Sequence, residues 1–276
     1  MKMILISDPV RYPRMTTQEL RDCFLADGLF QPGEIRLNYV DLDRTVVGMA
    51  SPVDAPLTLE SSPELRAEYF TERRELGALN IGGPGFIYVG EAKHELNNLD
   101  LLYIGRGNRE IRFESKDSKT PAVFYILSYP AHTAYPVTVV RKTEAQPTEI
   151  GAAETSNRRT IYKYIYMAGA KSCQLVMGVT HLHEGSTWNT MPSHTHMRRS
   201  ELYLYFDVAE NARVFHLMGP PDETRHIVVE NREVVISPGW SIHAGVGTQA
   251  YKFCWGMGGE NQDYTDMDPV DLRTMR

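Results

Sequence analysis

Short runs of β-branched and aromatic residues dominate this chain and constrain its fold more than any other feature. Glycine, asparagine, aspartate and proline, the residues that favour turns, separate the runs. The runs are EIRLNYVDLD, GFIYVG, LDLLYIG, EIRFES, AVFYILSYP, TIYKYIYM, CQLVMGVTHL, ELYLYFDV, RVFHLMG, HIVVEN, EVVISP and AYKFCWGM. Many short strands at close spacing are typical of a β-sandwich or barrel. We therefore predict an all-β chain.

The chain of 276 residues is long enough for two such domains. The stretch 142–157 is polar and without periodicity, so it is predicted to link them. This gives a first domain over 1–145 and a second over 146–276. Short helices are expected near the start of the first domain.

Two segments predict these helices. Thr16 and Glu19 have capping-box spacing, and the helix that they begin should stop by Gly28. A second helix is predicted over 63–76, because Pro63 suits a first helical turn.

Composition excludes several functional classes. The net charge is −6 and the pI about 5.9, which favours neither a nucleic-acid nor a membrane-surface partner. The apolar run that precedes Asp8 is too short for a signal peptide or a membrane span. Cys23, Cys173 and Cys254 are few, odd in number and widely spaced, which argues against a disulfide framework. A cytoplasmic protein is expected.

One segment has the spacing of a metal site. His194 and His196 are two residues apart, so on a strand their side chains face the same way. A turn in the next four residues would bring Glu201 back beside them. His243, after the turn-forming Pro238–Gly239, supplies a third imidazole. Three imidazoles and a carboxylate suit zinc, and also manganese or iron.

The pattern H-x-H-x4-E followed by P-x4-H resembles the paired metal motifs of the cupin superfamily. The usual second motif is P-x-G-x-x-H, and here Gly239 comes one residue early. Longer runs are similar to the 5-keto-4-deoxyuronate isomerase family of bacterial pectin breakdown. These runs are RRELGALNIGGPG, DLLYIGRG, SCQLVMGVT, GSTWNTMPSHTHMRRSELYLYFD, ETRHIVV, WSIHAGVGTQAYKFCWGMGGENQ and DMD.

The resemblance implies a bicupin with a degenerate first barrel and one zinc ion per subunit in the second. It also implies assembly into oligomers, often hexamers, and a small-molecule uronate substrate. The expected reaction converts 5-dehydro-4-deoxy-D-glucuronate to 3-deoxy-D-glycero-2,5-hexodiulosonate. The spacing of the ligands alone indicates only a metal cupin that acts on a small polar molecule.

A faint internal repeat supports two copies of one fold. Segments 105–113 and 245–253 share two glycines and a phenylalanine. In this alignment Tyr103 falls where His243 lies. The first copy would therefore lack that ligand.

Isomerising a keto-aldehyde sugar acid requires a proton to move between adjacent carbons, normally through an enediolate. A metal ion can stabilise that intermediate as a Lewis acid. A base must take the proton, and the candidates are Glu260, Tyr203, Tyr205 and Lys163. Both tyrosines share the strand parity of Glu201, so each could equally fill space inside the barrel.

The substrate carboxylate requires a cation, for which an arginine has matching geometry. The candidates are Arg158, Arg159 and Arg225, and the residues alone do not distinguish them. Two other functions stay open at this point. One is a different metal cupin, such as an iron dioxygenase, and the other is a sugar-binding bicupin without activity. A second H-x-H, at His181 and His183, is predicted to lie in a surface hairpin.

Overall fold

The computed structural model describes residues 1–260 and 264–276, and in this part of the chain it confirms the all-β class. One α-helix is present there, α1 (Thr17–Phe24). The strands of the first part are β1 (Lys2–Ile4), β2 (Leu25–Ala26), β3 (Ile35–Val40), β4 (Thr45–Ala50), β5 (Leu57–Thr58), β6 (Arg74–Asn80), β7 (Gly85–Val89), β8 (Ala92–Leu96), β9 (Leu101–Ile104), β10 (Ile111–Ser115), β11 (Phe124–Pro130) and β12 (Thr138–Val140). Those of the second part are β13 (Thr148–Ile150), β14 (Arg159–Ile165), β15 (Val176–Leu182), β16 (Trp188–Asn189), β17 (His194–Thr195), β18 (Arg199–Phe206), β19 (Val214–Gly219), β20 (Arg225–Val229), β21 (Glu233–Ser237), β22 (Ile242–Gly247), β23 (Lys252–Gly259) and β24 (Asp268–Pro269). Short 3-10 turns lie at Tyr12–Arg14, Leu42–Arg44, Pro63–Leu65, Lys142–Glu144 and Leu272–Thr274.

The strands form two pairs of sheets with the same arrangement. One seven-stranded sheet has the order β1-β3-β4-β11-β6-β9-β12, and the other has β13-β14-β15-β23-β18-β21-β2. The four-stranded sheets have the orders β5-β10-β7-β8 and β16-β22-β19-β20. The strands β17 and β24 pair separately. Each strand of one set therefore has a counterpart in the other, and β6 corresponds to β18.

The chain divides into two compact units that exchange segments across the boundary expected from the sequence. The first contains 1–3, 28–145 and 164–176, and the second contains 4–27, 146–163 and 177–276. The helical lead-in, which the sequence analysis placed in the first domain, thus belongs to the second unit.

The helical lead-in belongs to the second unit because it packs against residues of that unit. The predicted capping box is present, with the Glu19 amide donating to Thr16 Oγ1 at 3.3 Å. The helix ends at Phe24, because the next two residues pair with β21 of the second unit. The Phe24 ring packs edge-on against Trp240, with centroids 6.2 Å apart. Within the described residues, no helix has the length and apolarity needed to span a membrane.

The helix predicted over 63–76 is wrong. The 3-10 turn stops at Leu65, and Arg66 has a left-handed backbone with φ 48°. From Arg74 the chain runs as the strand β6, every residue of which is buried. Alternation of apolar residues, with Leu76 and Ala78 in the core of the first unit, outweighed the helical start signal. Part of the predicted linker is also strand, since β13 pairs with β14.

Tyr103 does not occupy the place of His243, so that alignment is wrong. Tyr103 lies on β9, whose counterpart by sheet order is β21, whereas His243 lies on β22. The Tyr103 hydroxyl donates to the buried Glu75 carboxylate at 2.8 Å. The same carboxylate accepts the backbone amides of residues 173–175. Both side chains therefore have a structural role in the first unit.

Candidate metal centre

Four side chains from three strands and one loop converge in the second unit. His194 lies on β17, His196 in the turn that follows, Glu201 on β18 and His243 on β22. The turn closes where the Arg199 amide donates to the His196 carbonyl at 3.3 Å. The predicted reversal of the chain between the histidines and the carboxylate is thus present.

Gly239, which comes one residue early in the second motif, lies where two backbone segments approach closely. A Cβ atom at this position would lie 3.0 Å from the carbonyl oxygens of His196 and Met197. The turn before β22 therefore packs directly against the loop that carries His196. A glycine fits this close approach of the two backbones, whereas a side chain would push against the loop.

The candidate ligand atoms lie close enough together to bind one ion. His194 Nε2 is 3.1 Å from His243 Nε2. The Glu201 Oε2 atom is 3.0 Å from His196 Nε2 and 3.2 Å from His243 Nε2. All three imidazoles offer ligand atoms within 4.8 Å of one another, which is compatible with a metal site.

Backbone carbonyls fix the tautomers of two of the rings. His196 Nδ1 lies 3.0 Å from the Arg199 carbonyl oxygen, and His243 Nδ1 lies 3.3 Å from that of Ser241. A carbonyl can only accept, so in each neutral ring Nδ1 carries the proton. Each Nε2 lone pair therefore points toward the cluster, as metal-ligating histidines require.

Burial and mutual charge set the protonation states. Burial lowers the pKa of His194 and, more strongly, that of His243. Burial acts on His196 in the same sense, but the neighbouring carboxylate outweighs it and raises the pKa of this ring. Burial would raise the pKa of Glu201, yet the charges of His243 and His196 outweigh it and lower the pKa to about 2. Metal binding requires an ionised carboxylate and three neutral imidazoles, so an ion would displace any proton that His196 shares with Glu201.

The spacing of these atoms also fits a single ion. Ligands ~2.0–2.2 Å from a metal, at tetrahedral or right angles to one another, are separated by about 2.8–3.6 Å. The measured separations of 3.0, 3.1 and 3.2 Å agree with this.

A cavity of about 440 Å³ opens beside the cluster, lined by His194, His196 and Glu201. Apolar and aromatic side chains form most of the remaining wall. They include Ile150, Ile161, Met191, Pro192, Tyr203, Phe253, Trp255, Met257, Tyr264 and Met267. A mostly apolar cleft with a few convergent polar groups is typical of a small-molecule site.

Three further candidates from the sequence line this cavity. Arg159 and Lys163 point into it from alternate positions of β14, and Tyr203 points into it from β18. The Tyr203 hydroxyl is 3.2 Å from Thr190 Oγ1. Burial raises the pKa of Tyr203 well above its ordinary value, so the hydroxyl stays protonated. Arg159 is half-buried and donates to the Asn157 carbonyl at 2.7 Å.

Tyr205 shares the parity of Tyr203, as predicted, but lies deeper in the interior. Its hydroxyl is hydrogen bonded to Nδ1 of the fully buried His216 at 2.7 Å. Burial lowers the pKa of His216 to about 3, so this ring is neutral. The structure places Tyr205 outside the cavity wall.

The other candidates lie elsewhere. Glu260 is exposed, and its carboxylate is 3.5 Å from the Arg198 guanidinium. Arg158 is also exposed and pairs with Glu149 at 3.2 Å. Arg225 donates to the Met15 carbonyl at 2.8 Å. None of the three lines the cavity.

Residues 31–272 match the family model described as KduI/IolB. A protein of Lachnoclostridium phytofermentans named 4-deoxy-L-threo-5-hexosulose-uronate ketol-isomerase is 51% identical over 276 residues, the full length of both chains. The chain belongs to the KduI/IolB family.

Solved structures show the same fold. An IolB-like protein from Salmonella typhimurium has a TM-score of 0.72 at 12% identity, over 90% of this chain and 96% of that one. Oxalate decarboxylase of Bacillus subtilis has a TM-score of 0.56 at 11% identity, over 81% and 71%. These likenesses confirm the predicted cupin fold. The two pairs of sheets are compatible with the bicupin description.

In this member of the KduI/IolB family, one pair beside the candidate metal ligands was not predicted from the sequence. Arg199 and Asp266 are both buried, with the Arg199 Nη2 atom 2.6 Å from Asp266 Oδ1. The sequence analysis gave Arg199 no role, and 67 residues separate it from its partner. A second arginine at the start of a buried strand was the available signal, because a charge there requires a partner.

Proposed function

We propose that the chain is a ketol-isomerase of uronate catabolism that converts 5-dehydro-4-deoxy-D-glucuronate to 3-deoxy-D-glycero-2,5-hexodiulosonate. One observation carries the proposal: half of all residues are identical, over the full length of both chains, to a relative named as such an isomerase. The relatives favour neither an iron dioxygenase nor a sugar-binding bicupin without activity. The polar cluster and the cavity in the second unit supply a site for the chemistry.

His194, His196, Glu201 and His243 would hold one zinc ion per subunit. The support is the convergence of their ligand atoms and the two tautomers fixed by backbone carbonyls. Manganese or iron would fit the same donor set. When bound, the ion would supply Lewis acidity at the two adjacent substrate oxygens where negative charge develops.

Arg159 would bind the carboxylate of the substrate. It is the candidate arginine that lines the cavity, and its guanidinium is half-buried, where a charge-assisted hydrogen bond is stronger than in water. The Asn157 carbonyl holds one of its nitrogens and leaves others for a ligand. Tyr203, protonated and beside Glu201, would donate to a substrate oxygen.

Lys163 would transfer the proton through Nζ. Of the four candidates, Glu260 is exposed, Tyr205 lies outside the wall, and Tyr203 holds its proton. Lys163 lies in the wall on the same face of β14 as Arg159, with Nζ 5.3 Å from the centre of the Tyr264 ring. Groups of this kind contribute ~10²–10⁴-fold to proton-transfer steps.

The decisive experiment incubates the metal-replete protein with the unsaturated-uronate product of a pectin lyase and follows the sugar carbons by NMR. We expect the aldehyde signal to disappear as the new ketone appears. Chelated protein is the matched control and should leave the spectrum unchanged. Tight binding of the uronate without conversion would reject the isomerase and favour the sugar-binding protein, and oxygen consumption would favour the dioxygenase.

We further propose that the protein acts in the cytoplasm, in pectin degradation, as a homohexamer. Cys23, Cys173 and Cys254 are thiols and not parts of disulfides, which suits a reducing compartment. The assembly follows from the family resemblance alone. Light scattering coupled to size-exclusion chromatography tests it, and a monomer would contradict it.

A further inference from the structure

The segment 264–270, here called the C-terminal strap, covers one side of the cavity. Tyr264 and Met267 both line it. The Tyr264 ring meets Trp255 edge-on at 6.2 Å and lies 5.3 Å from Lys163 Nζ. The strap is thus in contact with side chains of β14 and β23 that also line the cavity.

A buried ion pair ties the strap to the start of β18. The Arg199 guanidinium binds the Asp266 carboxylate through Nε at 2.9 Å and Nη2 at 2.6 Å. Its third nitrogen contacts the sulfur of Met257. The side chains of the pair are only 1% and 7% exposed, so removing one charge would leave the other buried without its partner.

The Arg199–Asp266 pair is also connected to a candidate metal ligand, His196. The carbonyl of Arg199 accepts the Nδ1–H of His196, the bond that orients this ring and fixes its tautomer. The ion pair with Asp266 therefore helps to hold in place the residue whose carbonyl orients the His196 ring.

Backbone pairing ties the strap to a second ligand. His194 on β17 is paired with Pro269 on β24. The Val270 amide donates to the Ser193 carbonyl at 3.0 Å, immediately before His194. One short segment therefore supports two of the three imidazoles by two independent means.

We propose that the C-terminal strap is the support that positions His194 and His196 for the metal ion, with Asp266 as its positioning residue. The inference rests on the metal site of the proposed function. Asp266 does not touch the ion. It acts through Arg199, whose carbonyl orients His196, while the β17–β24 pairing holds His194.

Asp266→Asn tests this, because it removes the charge and keeps the shape. Outer-sphere partners of a ligating histidine typically contribute ~10–100-fold to metal affinity. We expect competition with a chromophoric chelator to show an affinity for Zn²⁺ at least about tenfold weaker than wild type. Asp266→Glu, which restores the charge, should recover part of it.

Asp271→Asn is the matched control. It removes an aspartate that also pairs with an arginine, Arg273, but lies exposed in the same terminal region. Its affinity for Zn²⁺ should equal that of wild type. Equal affinities in all variants would overturn the role of the strap and leave the metal site standing, whereas a wild-type protein that binds no Zn²⁺ would overturn both.

A measurement on wild-type protein covers the case in which Asp266→Asn does not fold. Thermodynamic coupling is reciprocal, so a strap that strengthens metal binding must itself be stabilised by the metal. Hydrogen exchange at the Val270 amide should therefore slow when Zn²⁺ is added. Amides of β8 in the first unit serve as reference. Equal slowing at both, or none at Val270, would contradict the proposal.

Discussion

The strands β6 and β18 hold the same place in their sheets and begin in the same way, yet they line very different interiors. Arg74 opens one and Arg199 opens the other. From there β18 turns Glu201 and Tyr203 toward the metal cluster, whereas the corresponding face of β6 places Leu76 and Ala78 in an apolar core.

The contrast extends to the neighbouring strands. Where β22 carries His243, its counterpart β10 carries Phe113, whose ring packs 5.3 Å from that of Phe124. Where β14 presents Arg159 and Lys163, the inward residues of β3 are apolar or aromatic and pack against the same core. One strand order thus accommodates a dry core or a polar site, and a few inward positions decide which.

The largest expected effect is the loss of the metal from His196→Ala. Removing one of four ligands, and the one tied to both Glu201 and the Arg199 carbonyl, should abolish stoichiometric metal in the purified protein. Mass spectrometry of the metals measures this. His183→Ala is the control, because this histidine of the second H-x-H is hydrogen bonded to Thr160 Oγ1 instead. Full metal retention in His196→Ala would reject the assignment.

Lys163→Arg separates charge from proton transfer. The substitution keeps the positive charge in the cavity but replaces an amine with a group that does not lose its proton. If Nζ moves the proton, kcat should fall by ~10²-fold or more while KM changes little. Steady-state kinetics decide this, and an unchanged kcat would limit Lys163 to binding.

Leu76→Glu places a carboxylate in the first unit at the position that corresponds to Glu201 in the second. The new side chain would be fully buried among apolar neighbours, without imidazoles to offset its charge. We expect a loss of unfolding free energy on the order of 3–5 kcal/mol, measured by urea denaturation. Leu76→Met, which conserves volume, should cost less than about 1.5 kcal/mol. A stable Leu76→Glu protein with a second metal ion would show the two interiors to be interchangeable.

Arg159→Ala should raise KM for the uronate by ~10–100-fold, since a charge-assisted hydrogen bond contributes about 1.5–3 kcal/mol. Arg158→Ala is the adjacent control, because this arginine faces solvent and pairs with Glu149. Similar KM values for both variants would move the carboxylate site elsewhere.

Glu260→Gln should have the smallest effect, with turnover equal to that of wild type. The carboxylate is exposed and contacts Arg198 at the surface, away from the cavity. A large fall in kcat, measured beside Arg198→Gln as control, would restore Glu260 as a candidate base.

Local spacing predicted those parts of the site that depend on strand alternation. His194, His196 and Glu201 converge because a short strand, the turn after it and the next strand bring them together, and this order is visible in sequence. Arg158 and Arg159 could not be distinguished in this way, because a shift of one residue reverses the face. Asp266 could not be matched to Arg199, because nothing in either neighbourhood encodes a contact across 67 residues.

The same limit applies to the prediction of the fold. Strands and the capped helix were predictable from periodicity and caps, whereas the unit to which that helix belongs was not. Its place depends on Leu25 and Ala26 pairing with β21, some 200 positions later in the chain.

That pairing has a consequence for biosynthesis. Residues 4–27 are synthesised before 28–145 but belong to a unit that is complete only when β21, β22 and β23 have been made. Domains of many proteins fold as units in the order of their synthesis. Here the earliest segment must wait while the whole stretch 28–145 emerges and folds. Until then Leu20 and Phe24, which are buried in the folded unit, lack the partners that cover them.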